Sequence, residues 1–462
     1  MIFRQLINED LGCASYLVGD ERAGVAAVVD PRLEVDEYLS IARYLGVQIE
    51  HVLETHTHAD HVSGHGRLAE ATGARIHIHR VAGAEYDHDP IDAGWSLDLG
   101  AVRIEALHTP GHRPEHTAFA IIDTTRGPEP WAVLTGDSLF VGDVARPDLA
   151  VEPEDGARDI FRSLHAGLFM LPAETEVWPG HLGGSMCGGP AMSMKVCSTI
   201  GYERAHNPLL AEDDEDAFVR RSLAALGPQP PNFRSIVGIN RGPLTSLDPR
   251  EQPMTAGQLE RRRDDGALVV DTRTDLQFDE AHIPGAISIT ALRAGFGTRL
   301  AWLAAPGQEI VLVGRGDEDA LRAARLASAV GVLGVVGHLS GGMTSWREER
   351  RTVDRIERVD VPGLAALRAA DPDLQILDVR ERAEWDGGRI PGSVHRTYHD
   401  LREPVAELDP ERPVAVICAT GQRSAVGASL VARHGARRVI HVVDGGVDAW
   451  ERLGHPIELG SA

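Results

Sequence analysis

Short apolar runs alternate with amphipathic stretches through the first half of the chain. Ser15-Tyr16-Leu17-Val18 and Gly24-Val25-Ala26-Ala27-Val28-Val29-Asp30 flank a polar turn at Gly19-Asp20-Glu21-Arg22, which predicts a β-hairpin. Helical spacing runs from Val35 to Leu45, and the pair Val52-Leu53 ends a further strand. Residues Val62 to Thr72 predict the next helix, and further strands are predicted at Arg75–Ile78, Val102–Leu107, Ala118–Ile122 and Ala132–Leu134. This alternation predicts an α/β layered fold.

Beyond Pro228-Gln229-Pro230-Pro231 the pattern changes, and Pro/Gly spacing over 236–253 predicts a linker after a first domain of 1–235. The remainder repeats itself. Leu268-Val269-Val270-Asp271-Thr272-Arg273 returns as Ile376-Leu377-Asp378-Val379-Arg380, and His282-Ile283-Pro284-Gly285 returns as Arg389-Ile390-Pro391-Gly392. Gly341-Gly342 with Trp346 returns as Gly445-Gly446 with Trp450. Two copies of one fold are therefore expected, at 254–354 and 355–462, each a short parallel sheet with helices on both faces.

Candidate chemistry gathers where predicted strands end. Thr55-His56-Thr57-His58-Ala59-Asp60-His61 lies between a strand and a helix, and four of its side chains can bind a metal. The His-x-His-x-Asp-His spacing offers donors to both sides of an extended loop, which suits one ion or two. Three more loops carry a donor beside glycine: His112 in Thr109-Pro110-Gly111-His112, Asp137 in Thr135-Gly136-Asp137, and His181 in Trp178-Pro179-Gly180-His181. Tight Pro-Gly turns, and a glycine that permits close backbone approach, are rigid places from which to aim ligands.

Charge and cysteine usage narrow the setting. A net charge of -23 over 462 residues excludes a nucleic-acid-binding surface, and no basic run suggests a membrane partner. Cys13, Cys187, Cys197 and Cys418 are too scattered for a disulfide framework, which points to a reducing compartment. Residues 1–10 lack an apolar core behind basic residues, and no window approaches a membrane span, so a cytoplasmic protein is expected.

The T-H-x-H-x-D-H stretch followed by separate Gly-His, Gly-Asp and Gly-His loops resembles the metallo-β-lactamase superfamily. The resemblance implies an αββα sandwich with metal held at one edge between two mixed sheets. The continuation through Ala145-Arg146-Pro147-Asp148 looks like the persulfide dioxygenases, with Ala145 in place of their usual glycine. So does Ser185-Met186-Cys187-Gly188 followed by Ser198-Thr199-Ile200-Gly201-Tyr202-Glu203. In two-metal hydrolases of the superfamily, His56, His58 and His112 would hold one ion, Asp60, His61 and His181 the other, and Asp137 would bridge them. In persulfide dioxygenases the resemblance implies one Fe(II) held by His56, His112 and Asp137, with three positions open. His58, Asp60, His61 and His181 would then orient ligands and water. Arg146 is the candidate for an anionic group of the substrate, and Cys187 is expected to be a packed residue.

In the second repeat, Val414-Ala415-Val416-Ile417 runs into Cys418-Ala419-Thr420-Gly421-Gln422-Arg423-Ser424. A cysteine at the C-terminal edge of a parallel strand, cradled by loop amides and a helix N-terminus, is expected to act as a nucleophile, with Arg423 binding anions. These features resemble the rhodanese family, where such a cysteine carries a persulfide. The first repeat has Gly314 at the cysteine position and Asp319 at the arginine position, so it is expected to be catalytically inactive, a spacer or docking surface.

Together these resemblances imply oxidation of a low-molecular-weight thiol persulfide, such as glutathione persulfide, by dioxygen, giving sulfite and thiol, coupled to sulfurtransfer among thiols, sulfite and thiosulfate at Cys418. The alternative is a dinuclear zinc thioester hydrolase of the hydroxyacylglutathione type fused to a sulfurtransferase. The sequence leaves open which thiol is used and whether the protein forms a homo-oligomer.

Overall fold

A computed structural model of the chain describes every residue except 184, 186, 190, 212–213, 245–251 and 461–462. The chain divides into two compact units, Met1–Leu247 with Ala329–Gly331, and Asp248–Ser328 with Val332–Ala462. Among the described residues, no helix is long and apolar enough to cross a membrane.

The first unit is built on two six-stranded sheets. Strand residues point alternately to opposite faces, and this period of two sorts the core into layers. Tyr16, Val18, Ala27 and Val29 of the first sheet meet Ile104, Phe119, Ile121 and Leu134 of the second. The intervening Leu17, Ala26 and Val28 face Tyr38, Ala42 and Leu68, from the helices Asp36–Leu45 and His65–Thr72. On the far side, Ala118 and Val133 pack against Ile160, Leu164 and Phe218 of Pro153–Ala166 and Glu215–Ala224. Strands covered on both faces read as continuous apolar runs, as Val25–Val29 does, and the layers are the expected αββα sandwich.

Three local features differ from the sequence expectation. The first sheet opens with Ile2–Asn8, antiparallel to Cys13–Asp20; in that strand only Ile2 and Leu6 are buried, which hides its period. The helix expected from Val62 begins at His65, because the Gly64 amide is bonded to Pro31 O at 2.8 Å and an extended bridge joins Arg32 to Ser63. The segment expected as a linker over 236–253 opens inside a helix, Phe233–Arg241, which buries Phe233, Ile236 and Asn240; residues 245–251 lie outside the described residues.

The second unit contains two five-stranded sheets that are parallel throughout. Their strand orders match: Gln252–Met254, Val335–Leu339, Ile310–Val313, Leu268–Asp271, Ile287–Ser288 in one, and Glu357–Val359, Val439–Val442, Val414–Ile417, Gln375–Asp378, Val394–His395 in the other. The repeated Asp and Arg make the same contact twice. Arg273 grips Asp271 at 2.6 Å and the Ala281 carbonyl at 2.8 Å; Arg380 grips Asp378 at 2.7 Å and the Gly388 carbonyl at 2.6 Å. These buried forks fix each strand end to the following helix, so the most visible part of the repeat is structural.

Candidate metal centre and cysteine loop

Strand direction brings the separate donors of the first unit together. Val102–His108 and Ala132–Gly136 each run antiparallel to Thr117–Asp123, and Glu176–Pro179 runs parallel to Ala132–Gly136. These three strands therefore end at one sheet edge, where His112, Asp137 and His181 follow. The loop after Gln48–Leu53 of the other sheet reaches the same edge, where Thr117 N–H donates to Thr55 O at 2.8 Å. Gly136 has a φ of +49°, and an added Cβ there would lie 2.7 Å from His116 Nε2, so only glycine allows this closeness.

His56, His112 and Asp137 present one donor atom each, all within 4.8 Å of one another and fully buried. Asp137 Oδ2 lies 3.4 Å from His112 Nε2, 3.9 Å from His56 Nε2 and 3.2 Å from His181 Nε2. Donors that share an ion at bonds of about 2.0–2.2 Å are spaced on this scale. A second group follows beside it. Asp60 Oδ2 is 3.5 Å from His181 Nε2, Asp60 Oδ1 is 3.1 Å from His61 Nδ1, and Cys13 and Cys187 flank the group. Burial, with the Asp60 charge next, pushes both thiols well above the ordinary cysteine range, so they are neutral neighbours here.

These donor atoms fit a cation. Seven of them lack any hydrogen-bond partner: His56 Nε2, His58 Nδ1, Asp60 Oδ2, His61 Nε2, His112 Nε2 and both Asp137 oxygens. At about 1–3 kcal/mol for each unsatisfied buried group, the cost would rival the roughly 5–15 kcal/mol stability of a domain. A bound metal removes that cost, and the fold implies one.

The other ring nitrogens are anchored. His112 Nδ1 donates to Arg146 O at 2.9 Å, His56 Nδ1 faces Thr55 Oγ1 at 2.9 Å, and His181 Nδ1 faces Ser185 Oγ at 2.8 Å. Thr55 Oγ1 in turn donates to Asp30 at 2.9 Å, so the His56 contact is a donation from the ring and Nε2 stays free for a metal. Burial, and next the charge of His58, holds His56 well below the usual histidine range; burial also lowers His112. Burial pushes Asp137 up, but the neighbouring histidines, His181 first, outweigh it and bring it down to about 2. Both protonation patterns leave lone pairs available.

His58 is placed differently from its loop neighbours. Its Nε2 lies 3.1 Å from Asp30 and 3.3 Å from Glu54. Burial opposes its proton, yet Asp30 and then Glu54 outweigh burial and hold the ring well above the usual range.

Several residues at the centre carry no sequence signal. His116 Nε2 accepts the Asp137 N–H at 2.9 Å, and burial, with the charge of His112, lowers it to about 3. Glu115 receives Arg113 at 2.6 Å and the Thr57 amide at 3.2 Å. Asn240 donates to His58 O at 2.9 Å and His61 O at 2.8 Å, and accepts Ser63 N–H at 2.9 Å, so one side chain clamps the donor loop. The single hint was polarity inside an otherwise apolar helix stripe.

Arg146, expected to bind an anionic group, is buried with its guanidinium held by Asp148 at 2.7 and 2.9 Å and by Gly227 O at 2.9 Å. Its carbonyl holds His112, so its visible work is positioning. Beside Ala59 and Pro114 opens a cleft of about 380 Å³ walled in part by Arg113, Arg234 and Arg241. Cys187 is packed with Phe140 and Ala145, while residues 184 and 186 of its glycine-rich stretch lie outside the described residues.

In the second unit, Cys418 follows Val414–Ile417 and is buried at the start of a loop into the helix Gln422–Arg433. Gly421 N–H donates to its Sγ at 3.1 Å, and Ser424 Oγ lies 3.4 Å away. Arg423 is held by both oxygens of Glu384, at 2.5 and 2.7 Å. In the other repeat Asp319 pairs with Arg315 at 2.6 Å, and an added Cβ at Gly314 would lie 2.6 Å from Gly316 O. That loop has closed over the place a cysteine would need.

The chain matches the family model of the metallo-beta-lactamase superfamily over residues 8–181 and that of the rhodanese-like domain over 255–349 and 362–453. It is 29% identical over 223 residues to the mitochondrial persulfide dioxygenase ETHE1 of Homo sapiens, covering 48% of this chain and 80% of that protein. It is 35% identical over 173 residues to the cytoplasmic hydroxyacylglutathione hydrolase of Arabidopsis thaliana, covering 36% of this chain and 62% of that protein. The crystal structure of a metallo-beta-lactamase from Staphylococcus aureus superposes with a TM-score of 0.67 at 28% identity, covering 74% of this chain and 99% of that one. The chain belongs to the metallo-beta-lactamase superfamily, has persulfide dioxygenases among its homologues, and carries two rhodanese-like domains.

Proposed function

We propose that the first unit is a non-haem iron persulfide dioxygenase and that Cys418 in the second unit carries sulfane sulfur. The observation that supports this most is the three-donor face of His56, His112 and Asp137, with free donor atoms and anchored rings. Two histidines and one carboxylate on one face suit Fe(II) with open positions. A bound Fe(II) would supply the redox chemistry linking a persulfide to dioxygen, which closed-shell side chains cannot provide. The overall reaction is R–S–SH + O₂ + H₂O → R–SH + sulfite + two protons. The terminal sulfur is oxidised, dioxygen is reduced, and the S–S bond breaks.

The chain's own residues bind and orient. Arg234 and Arg241 would offer the neighbouring cleft's cations to the carboxylates of a thiol such as glutathione, while Arg113 beside them is paired with Glu115. Arg146 O and Thr55 hold the two rings at fixed tautomers. At Cys418, the thiolate would attack the outer sulfur of thiosulfate or of a thiol persulfide, leaving a cysteine persulfide and releasing sulfite or thiol. The Gly421 amide would stabilise the attacking thiolate at Sγ. The repeat without a cysteine would take no part in bond making.

A second reading has its own observation in favour. Asp60 stands in two further donor groups, with His61 and Cys13 and with His181 and Cys187, and a second ion taken by Asp60, His61 and His181 would suit a two-zinc thioester hydrolase. Metal analysis separates the two. Protein purified anaerobically and titrated with metals is expected to hold one iron per chain, lost in His112→Ala. Two zinc ions per chain with turnover of a glutathione thioester would replace the dioxygenase reading.

A further inference from the structure

The loop around Cys418 is held from the repeat that lacks a cysteine. Gly421, whose N–H reaches Sγ, has a φ of +99°, so the loop depends on what fixes this residue. Its carbonyl accepts from His441 Nε2 at 2.8 Å, and the other ring nitrogen lies 2.7 Å from Asp279 Oδ2. His441 and Asp279 are both buried. Both ring nitrogens face oxygens, so the ring is held at two points. Asp279 sits in the helix Asp275–Glu280 of the cysteine-less repeat, while His441 lies in the strand Val439–Val442 beside Cys418's own strand. Arg358 donates to the same Asp279 oxygen at 2.6 Å, holding the carboxylate from a second side.

Further contacts make this repeat a support for the helix that follows the loop. Ser288 N–H donates to Ser429 Oγ at 3.0 Å, and Arg433 donates to Gly285 O at 2.5 Å. Outside that helix, Trp302 stacks on His399 with ring centroids 4.4 Å apart.

We propose that Asp279 acts through His441 as a positioning residue for Cys418, so that the cysteine-less repeat is the supporting half of the cysteine site. Asp279 orients the imidazole, the imidazole fixes the Gly421 carbonyl, and the Gly421 amide is thereby aimed at the sulfur. The role in sulfurtransfer rests on reading Cys418 as a sulfur carrier; the effect on cysteine reactivity does not.

The test uses the full chain. Alkylation of Cys418 by iodoacetamide is followed across pH by mass analysis of its peptide, alongside single-turnover persulfidation by thiosulfate or glutathione persulfide. Asp279→Ala and His441→Ala are expected to slow alkylation near neutral pH by about tenfold, the scale of one hydrogen bond to a charged group, and to move its pH profile upward. His441→Gln, whose Nε2 can still donate to Gly421 O, is expected to restore the rate, as is Asp279→Ala combined with His441→Gln. A wild-type rate and profile in either alanine variant would overturn the proposal. So would a His441→Gln variant as slow as His441→Ala, because loop aim would then not be what was lost. Wild-type protein that alkylates as expected yet accepts sulfur from neither donor would sink the sulfur-carrier reading, and the alkylation series would still decide the role of Asp279.

Discussion

At the scale of single residues, the candidate metal centre divides its histidine rings between two tasks. His56 and His112 spend one ring nitrogen on an anchor and keep the other as a donor. His116 makes no donor contribution but accepts the Asp137 amide, which requires its Nε2 to stay unprotonated. Its folded value is about 3, against about 6.5 for an unfolded histidine. Between those values the unfolded chain binds a proton that the folded chain refuses, so this residue's contribution is intact above about pH 6.5 and is lost as pH falls toward about 3. His116→Gln keeps an acceptor and removes the titration. Urea midpoints of metal-free protein from about pH 8 to about pH 5 should therefore fall more steeply in wild type than in the variant; parallel curves would contradict this. His56, Asp60, His61, His112, Asp137 and His181 stood out in the sequence because each lies in a compact motif at a strand end, whereas the fold turns His58, in the same motif, toward Asp30 and Glu54. His116 did not stand out, since a histidine before an apolar run has no distinguishing spacing.

At the scale of elements, loops are placed by strand direction and then locked by neighbours far away in sequence. The three strands preceding His112, Asp137 and His181 point the same way, which the alternation of runs predicted only as strands and not as a shared edge. The helix Phe233–Arg241 shows the limit more sharply. Its sequence lies just after a proline-rich stretch and reads as a linker, yet Asn240 bonds to the donor loop across more than 170 residues. No local pattern encodes such a contact. Asn240→Ala would strand two loop carbonyls and one amide in the interior, at a cost of about 2–4 kcal/mol. A drop of that size in chemical unfolding, together with weaker metal retention against a chelator, is the expected result. Unchanged stability and retention would mean that the loop holds its shape without the clamp.

At the scale of the whole molecule, one fold occurs twice with different loops. The two repeats keep the same strand order and the same Asp–Arg fork, which is why the repeat was readable. The loss of the cysteine was readable too, as Gly314. The contact between Asp279 and His441 was not, because it exists only once the fold sets the two residues together. Under the proposed function, a metal site in the first unit and Cys418 in the second would suit chemistry in which one product serves the other site as a reactant. The central claim is the oxidation itself, and oxygen uptake tests it most directly. Iron-loaded protein given glutathione persulfide should consume one dioxygen for each sulfite released, with His112→Ala inactive and Cys418→Ser still consuming oxygen. Absence of uptake with fully iron-loaded protein, or uptake that survives His112→Ala, would contradict the account.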